Sequence, residues 1–274
     1  MAIITIAREL GAWGENARLL LAKRLNATLI DKNVIESRLD HHGLDEKLLQ
    51  RYDERKPGFF SSFSADQDIY LLFLKTVMLE AADQGPAIIL GRGGNVLMGD
   101  LPNCVRIRLV APPQVRIARI CHEYECDEAT ATKLMRKCDE DRAGFCHFHF
   151  NAAWADASQY DLTINTGKLS DEQLVDLIAS IAAHVTPEAE SKTARIVKNR
   201  LLAQRVVKHI FLTRKLSLAF LEVTADDNGK VTLQGATSTP GVARQAGDAA
   251  REVEGVTDVD NHIQVAIELS HGHL

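Results

Sequence analysis

Short apolar runs alternate along the chain with longer stretches in which apolar residues recur every three or four positions. "IITIA" (3–7), "ATLID" (27–31), "AIILG" (87–91), "VRIRLVA" (105–111) and "YDLTINT" (160–166) have the length and β-branched content of buried strands. Between them lie helical patterns. "NARLLLAKRL" sets Leu19, Leu20, Leu21 and Leu25 at helical intervals, and "LLFLKTVMLEAADQG" (71–85) is an apolar-faced helix stopped by Gly85. Pro112 and Pro113 mark the loop before the helical "VRIARICHEY". "SDEQLVDLIASIAAHV" (170–185) opens with Ser170 as N-cap and Gln173 as its capping-box partner. Strands alternating with helices predict an α/β fold, a parallel sheet with helices on both faces.

The pattern changes near residue 190. "TPEAESK" (186–192) is polar, which divides the chain into a first domain (1–186), a linker (187–194) and a second domain (195–270). In the second, "ARIVKNRLLAQRVVKHIFL" reads as a helix. "LAFLEVTADDNGKVTLQGAT" reads as two strands around Asn228-Gly229, a dipeptide that favours the positive angles of a tight hairpin. A further helix and strand complete an α-β-β-α-β order, a small α+β unit. The basic first helix is read as a solvated face rather than a membrane-surface element.

Composition narrows the classes. The 274 residues are 46% apolar and 25% charged with a net charge of -5, so nucleic acid is not the expected partner. The N-terminal apolar run is too short for a signal sequence, and no stretch reaches membrane-span length, which points to the cytoplasm. Four of the five cysteines (Cys121, Cys126, Cys138, Cys146) crowd a stretch that also holds His122, His147 and His149. No C-x-x-C pair is present, so they are read as reduced thiols and no metal site is assigned.

The first domain carries a series of motifs in a fixed order: "TIAREL-G-x-x-G", "LIDKNVIE", "RYDERKPGFFSSF", "IILGRGGNVL", "RKCDEDRAGFCHFHF" and "YDLTINTGKLSDEQL". Through them residues 1–185 resemble the cytidylate-kinase-like family of P-loop nucleoside monophosphate kinases. The resemblance implies transfer of the γ-phosphoryl group of ATP, with Mg²⁺, to a nucleoside monophosphate, CMP or dCMP being the first expectation. It implies a donor cradle of Gly11, Ala12, Trp13, Gly14, Glu15 and Asn16, where glycine lets the backbone approach phosphate at a helix N-terminus. It implies acceptor contacts from Arg92, Gly93 and Asp31, although Asp31 also suits a cap for the next helix. "RKCDEDR" corresponds to the lid, with Arg136, Lys137 and Arg142 supplying charge and Asp139 and Asp141 orienting them or the acceptor. Thr166, in "NTG", would border the adenine.

One feature departs from the usual G-x-x-x-x-G-K-[ST] loop. Gly14 is followed by Glu15 and Asn16, where lysine and a Mg²⁺-binding hydroxyl ordinarily stand. A carboxylate a few ångströms from a triphosphate is repelled by about 4 kcal/mol per charge pair at an effective dielectric near 20. The working expectation is that Arg8, Arg92, Lys137 and Arg142 together perform the work of the absent lysine. Two other readings stay open: a degenerate kinase fold that senses nucleotides, and a kinase for another small acceptor. The C-terminal motifs "GKVTLQGAT" and "PGVARQAGDAAREVEGVTDVDNHIQV" resemble a BON domain, a module that implies binding of lipid or another ligand; behind a kinase-like domain the expectation is instead a regulatory role or homo-oligomerisation. Replacing Arg8 with alanine tests the cation hypothesis: turnover should fall, and wild-type rates would remove Arg8 from the mechanism.

Overall fold

The computed structural model describes residues 2–41 and 65–265. The expected acceptor-side motif at 51–63 and the end of the second domain lie outside the described residues, and of Glu15 only the backbone is described. The chain divides into two units, Met1–Thr193 and Ala194–Leu274.

The first unit is built on five strands: β1 (Ile3–Arg8), β2 (Thr28–Ile30), β3 (Ala87–Leu90), β4 (Cys104–Val110) and β5 (Leu162–Asn165). They form one sheet in the order β2-β3-β1-β4-β5, with every pair parallel. The helices between them are α1 (Glu15–Leu25), α2 (Lys32–His41), α3 (Ala65–Gln84), the short α4 (Gly94–Leu97), α5 (Pro113–Tyr124), α6 (Glu128–Phe150) and α7 (Asp171–Ala182). Because strand side chains alternate, Ile4 and Ile6 of β1 share one face with Ile88, Leu90, Ile107 and Leu109. That face packs on Leu21 of α1 and on Leu174, Val175 and Ile178 of α7. Helix α3 buries Tyr70, Phe73, Leu74, Val77 and Met78, and contacts β2 and β3. It begins six residues upstream of the predicted start.

The capping box of α7 forms as the sequence requires. Gln173 N donates to Ser170 Oγ at 3.2 Å, and Ser170 N donates to Gln173 Oε1 at 2.9 Å. The chain changes sides of β1 between β3 and β4, so the carboxyl ends of β1, β3 and β4 open a crevice where ligands of such sheets bind.

Residues 187–194, expected as a linker, instead begin helix α8 (Pro187–Lys208). Proline at the first helical position loses no hydrogen bond, and Glu188 and Glu190 favour the positive end of the helix dipole. The Thr186 hydroxyl accepts from Ala189 N at 3.2 Å and caps this end. The segment that holds the division between the units is thus helical.

In the second unit α8 runs into a π-helical turn (His209–Thr213), followed by β6 (Ala219–Ala225), β7 (Lys230–Thr237), α9 (Pro240–Arg251) and β8 (Asp258–Val265). The sheet order is β6-β7-β8, antiparallel then parallel. Val231, Leu233, Ala246, Ala250 and Val259 form its core with Leu202, Val206 and Ile210. The β6–β7 connection is not the expected two-residue turn with both residues at positive φ. Only Gly229 is left-handed, at φ +80°, while the Asp226 carboxylate accepts from the amides of Asn228 and Lys230, both at 2.9 Å. The aspartate supplies the acceptor that holds a longer loop. Among the described residues no helix is long and apolar enough to cross a membrane.

Candidate active site

Strand β1 delivers Arg8 to the carboxyl edge of the sheet, and the chain then turns through Glu9–Gly14 into α1. Gly11 has φ +74°, and a Cβ there would lie 2.8 Å from the Arg116 carbonyl oxygen, so both backbone angle and space demand glycine. Ala12 N donates to Glu9 O at 3.1 Å and closes the turn. Gly14 precedes α1 in extended conformation and provides no side-chain cap. The first-turn amides of α1 thus meet the crevice without a side-chain acceptor at the N-cap, the arrangement that binds phosphate at helix ends. One negative group stands near: the Asp171 carboxylate would lie 3.3 Å from a Cβ on Gly14.

The loop is held from behind by arginines. Glu9 accepts from Arg108 Nη2 at 3.3 Å and from Arg116 Nη1 at 3.2 Å. Arg116 Nε donates to Leu10 O at 2.7 Å, and its Nη2 pairs with Asp139. The second Asp139 oxygen accepts from Leu10 N at 3.1 Å. Arg119 Nη1 donates to Gly11 O at 3.2 Å and to Thr166 Oγ1 at 3.1 Å. The Thr166 hydroxyl in turn donates to Ala12 O at 2.6 Å. Arg108, whose side chain is 6% exposed, stacks 4.4 Å from the Trp154 ring centroid and also donates to the Trp154 carbonyl.

In front of this frame lies a cleft lined by Arg8, Arg92, Arg142, Phe145, Cys146 and Trp154, among others. Gly91, Arg92 and Gly93 are successive left-handed residues, at φ +70°, +53° and +71°. For a residue with a Cβ this costs about 1–2 kcal/mol, and strain of this kind collects at functional sites. Arg92 is 2% exposed and donates to the Tyr70 hydroxyl at 2.7 Å and to Glu36 Oε1 at 3.3 Å. Gly93 has no room for a side chain, because a Cβ would fall 2.1 Å from the Phe150 ring. Arg142 Nη1 donates to the Arg8 carbonyl at 3.1 Å and ties α6 to β1. Beside the cleft, His149 stands against Phe145 at 4.5 Å between ring centroids, and burial pushes its pKa down to about 4.

The structure thus brings Arg8, Arg92 and Arg142 to one cleft, with Gly93 on its wall. It does not bring Lys137 there. Lys137 is exposed, two residues from Asp139, which a helix turns to nearly opposite faces. Arg136 is also exposed. Asp139, expected to orient lid cations or acceptor, anchors Arg116 and the loop backbone instead. Thr166 is buried and clamps Ala12 rather than presenting itself to a base. Asp31 caps α2, accepting from Val34 N at 3.1 Å, with Arg18 3.8 Å away. Asp141 is half-buried on α6, and Asn16 is exposed in the first turn of α1. Trp13 packs against the core face shared by α1 and α7.

Sequence reasoning passed over Glu9, Arg108, Arg116 and Arg119. A signal was available. "VRIRLVA" was read as a plain buried strand, yet it carries Arg106 and Arg108 on alternate positions, and buried arginines require anionic partners.

The model of the cytidylate kinase-like family matches residues 3–168, and that of the BON domain matches residues 192–267. A crystal structure of an uncharacterized protein from Eubacterium ventriosum is similar at 21% identity and TM-score 0.51, covering 67% of this chain and 99% of that one. Shikimate kinase from Bacteroides thetaiotaomicron is similar at 15% identity and TM-score 0.40, over 66% of this chain and 98% of its own. Uronate isomerase from Corynebacterium glutamicum is 30% identical over 110 residues, which are 40% of this chain and 21% of that protein. The chain therefore spans about a fifth of that curated relative's length.

Two outcomes follow from this geometry. Glu9→Gln keeps the shape but takes the carboxylate from Arg108, while Arg116 keeps Asp139, and should lower unfolding free energy by about 3 kcal/mol, read from urea midpoints. His149 accepts its proton in the unfolded chain near pH 6.5 but in the folded one only near pH 4. Its contribution is intact above pH 6.5 and is lost as pH falls toward 4. The variant His149→Phe should show a shallower loss of stability across that window in pH-dependent denaturation.

Proposed function

Because the chain belongs to the cytidylate kinase-like family, we propose that it transfers the γ-phosphoryl group of ATP to a nucleoside monophosphate, with CMP or dCMP as the first acceptor to try. The supporting observation is the convergence of Arg8, Arg92 and Arg142 on one cleft at the carboxyl ends of β1 and β3, where the chain after Arg8 leads into an α1 N-terminus that has no side-chain cap. An acceptor phosphate and a transferring phosphoryl group are both anionic, and phosphoryl transfer is catalysed mainly by positioning and by charge stabilisation.

The residues present fit a nucleotide phosphate. Gly11 and Gly14 allow close backbone approach, and the first-turn amides of α1 supply donors. Asn16 offers an amide oxygen where such loops carry the Mg²⁺-binding hydroxyl, and Mg²⁺ held with ATP would neutralise charge on the β- and γ-oxygens. Arg92 grips the acceptor phosphate. It is preset by Tyr70 and Glu36, so little side-chain entropy is lost on binding. Arg142 and Arg8 bring positive charge from the α6 side to where donor and acceptor meet. In this reading the protein works in the cytoplasm, and its C-terminal BON domain regulates the kinase unit or joins two copies.

A second reading is favoured by the absence of a lysine after Gly14: the fold binds nucleotide and signals without transfer. A coupled assay over a panel of monophosphates with ATP and Mg²⁺ separates the two. Turnover of CMP or dCMP supports transfer, and calorimetric ATP binding with no turnover supports sensing. No turnover on the panel, with ATPase activity stimulated by another metabolite, selects a different small acceptor. Under the transfer reading Arg92→Ala should lower kcat about 10²–10³-fold, whereas Lys137→Ala should leave it within about twofold.

A further inference from the structure

Cys121 and Cys126 flank the corner where α5 ends and α6 is about to begin. Glu125 is left-handed, at φ +50° and ψ +45°, and terminates α5. The amide of Cys126 reaches back to the Cys121 carbonyl at 3.2 Å. This six-to-one bond is the mark of a Schellman ending, a motif that brings the side chain just past the helix onto the one in its last turn. At nearly every such corner the two positions hold apolar residues; here both hold thiols. The pair sits in one small cluster with Ile117, Ile120, Leu134 and Leu10. Both thiols are half-buried, so a small oxidant can reach them. The Cys121 thiol is held above its ordinary pKa by partial burial first and by Cys126 second.

We infer that Cys121 and Cys126 form a reversible intramolecular disulfide that staples the α5–α6 corner. One protein thiolate attacks a sulfur of a low-molecular-weight disulfide and expels a small thiolate. The second protein thiolate then attacks the mixed disulfide at the protein sulfur and expels the other. The two protein thiols lose two protons and two electrons, and the reagent leaves as two thiols. The backbone bond across the corner draws the two residues together, and a disulfide needs their Cα atoms within roughly 4.4–6.8 Å. Two of the other three cysteines are poorly suited. Cys146 is buried in the cleft, and burial pushes the Cys104 thiol up to about 12.

The corner matters because of what its helices hold. Arg116 and Arg119 of α5 grip the carbonyls of Leu10 and Gly11, while Asp139 and Arg142 of α6 grip Leu10 N and the Arg8 carbonyl. Leu10 itself packs in the cluster that surrounds the thiols. Fixing the corner therefore stiffens the arm that carries the loop's supports, and we assign the disulfide a restraining effect on turnover. That effect rests on the phosphoryl-transfer reading; formation of the bond does not.

The experiment treats the full chain with oxidised glutathione, blocks free thiols with an alkylating agent and analyses tryptic peptides by tandem mass spectrometry. Cleavage after Arg119 and Lys133 places both cysteines, and no others, in one peptide. The expected result is that peptide lighter by two hydrogens, unalkylated, and restored by a reducing agent, while Cys121→Ser traps glutathione on Cys126. Alkylation of both cysteines after oxidation, or glutathione persisting on both in the wild type, would overturn the assignment. Oxidised wild type should turn over several-fold more slowly than reduced, with Cys126→Ser indifferent to oxidant. A disulfide that forms with no change in rate overturns the restraining effect. Where neither redox form turns over any acceptor, the phosphoryl-transfer reading and the restraining effect fall together, and the peptide result still decides the bond.

Discussion

Glu9 is the residue on which the crevice depends. It leaves β1 immediately after Arg8 and accepts hydrogen bonds from arginines on two other elements, Arg108 of β4 and Arg116 of α5. Asp139 of α6 then shares Arg116 and takes the Leu10 amide. Four charged groups thereby join one strand end, a second strand and two helices. Arg108 and Arg116 are almost wholly buried, so each needs an anion, and removing one carboxylate leaves a charge with nowhere to go. The network sets where the loop runs.

Under the phosphoryl-transfer reading proposed above, the absence of a loop lysine is answered in two places. Behind the loop, Arg116 and Arg119 bind its carbonyl oxygens, which fixes the backbone and adds positive charge near α1's N-terminus. In front, Arg8, Arg92 and Arg142 line the cleft. Arginine suits both tasks, since its planar fork reaches several acceptors at once and stays charged when buried. A single mobile lysine is thus replaced by cations whose positions are set by neighbours. Arg92 carries the clearest sign of this: it is held left-handed between two glycines, with Phe150 packed where Gly93 would otherwise have a side chain.

The same helices link this frame to the thiol corner. Helices α5 and α6 pack on each other, and every hydrogen bond they make to the loop comes from side chains within a few turns of Cys121 or further along α6. In the disulfide proposal it is through these two packed helices that the corner acts on the loop.

Much of this molecule was legible in the chain. Five apolar runs became the five parallel strands, the Ser170–Gln173 box formed, and the α-β-β-α-β order of the second unit followed from periodicity and turn residues. These are local properties: strand and helix patterns need only the spacing of neighbours. The polar stretch at 187–194 holds the division between the two units and is helical, because proline and acidic residues begin helices as readily as they fill linkers. The parts played by Lys137, Asp139 and Thr166 could not be read locally. Whether Lys137 faces the cleft depends on which side of α6 meets β1, and Asp139 was drawn to Arg116, 23 residues away, and to Leu10, 129 away. Pairing among buried charges is decided only when the sheet order brings distant segments together, because the cost of leaving one unpaired appears only once water is excluded. Spacing along the chain determined the elements; desolvation in the assembled fold decided which charged groups face the cleft and which hold the frame.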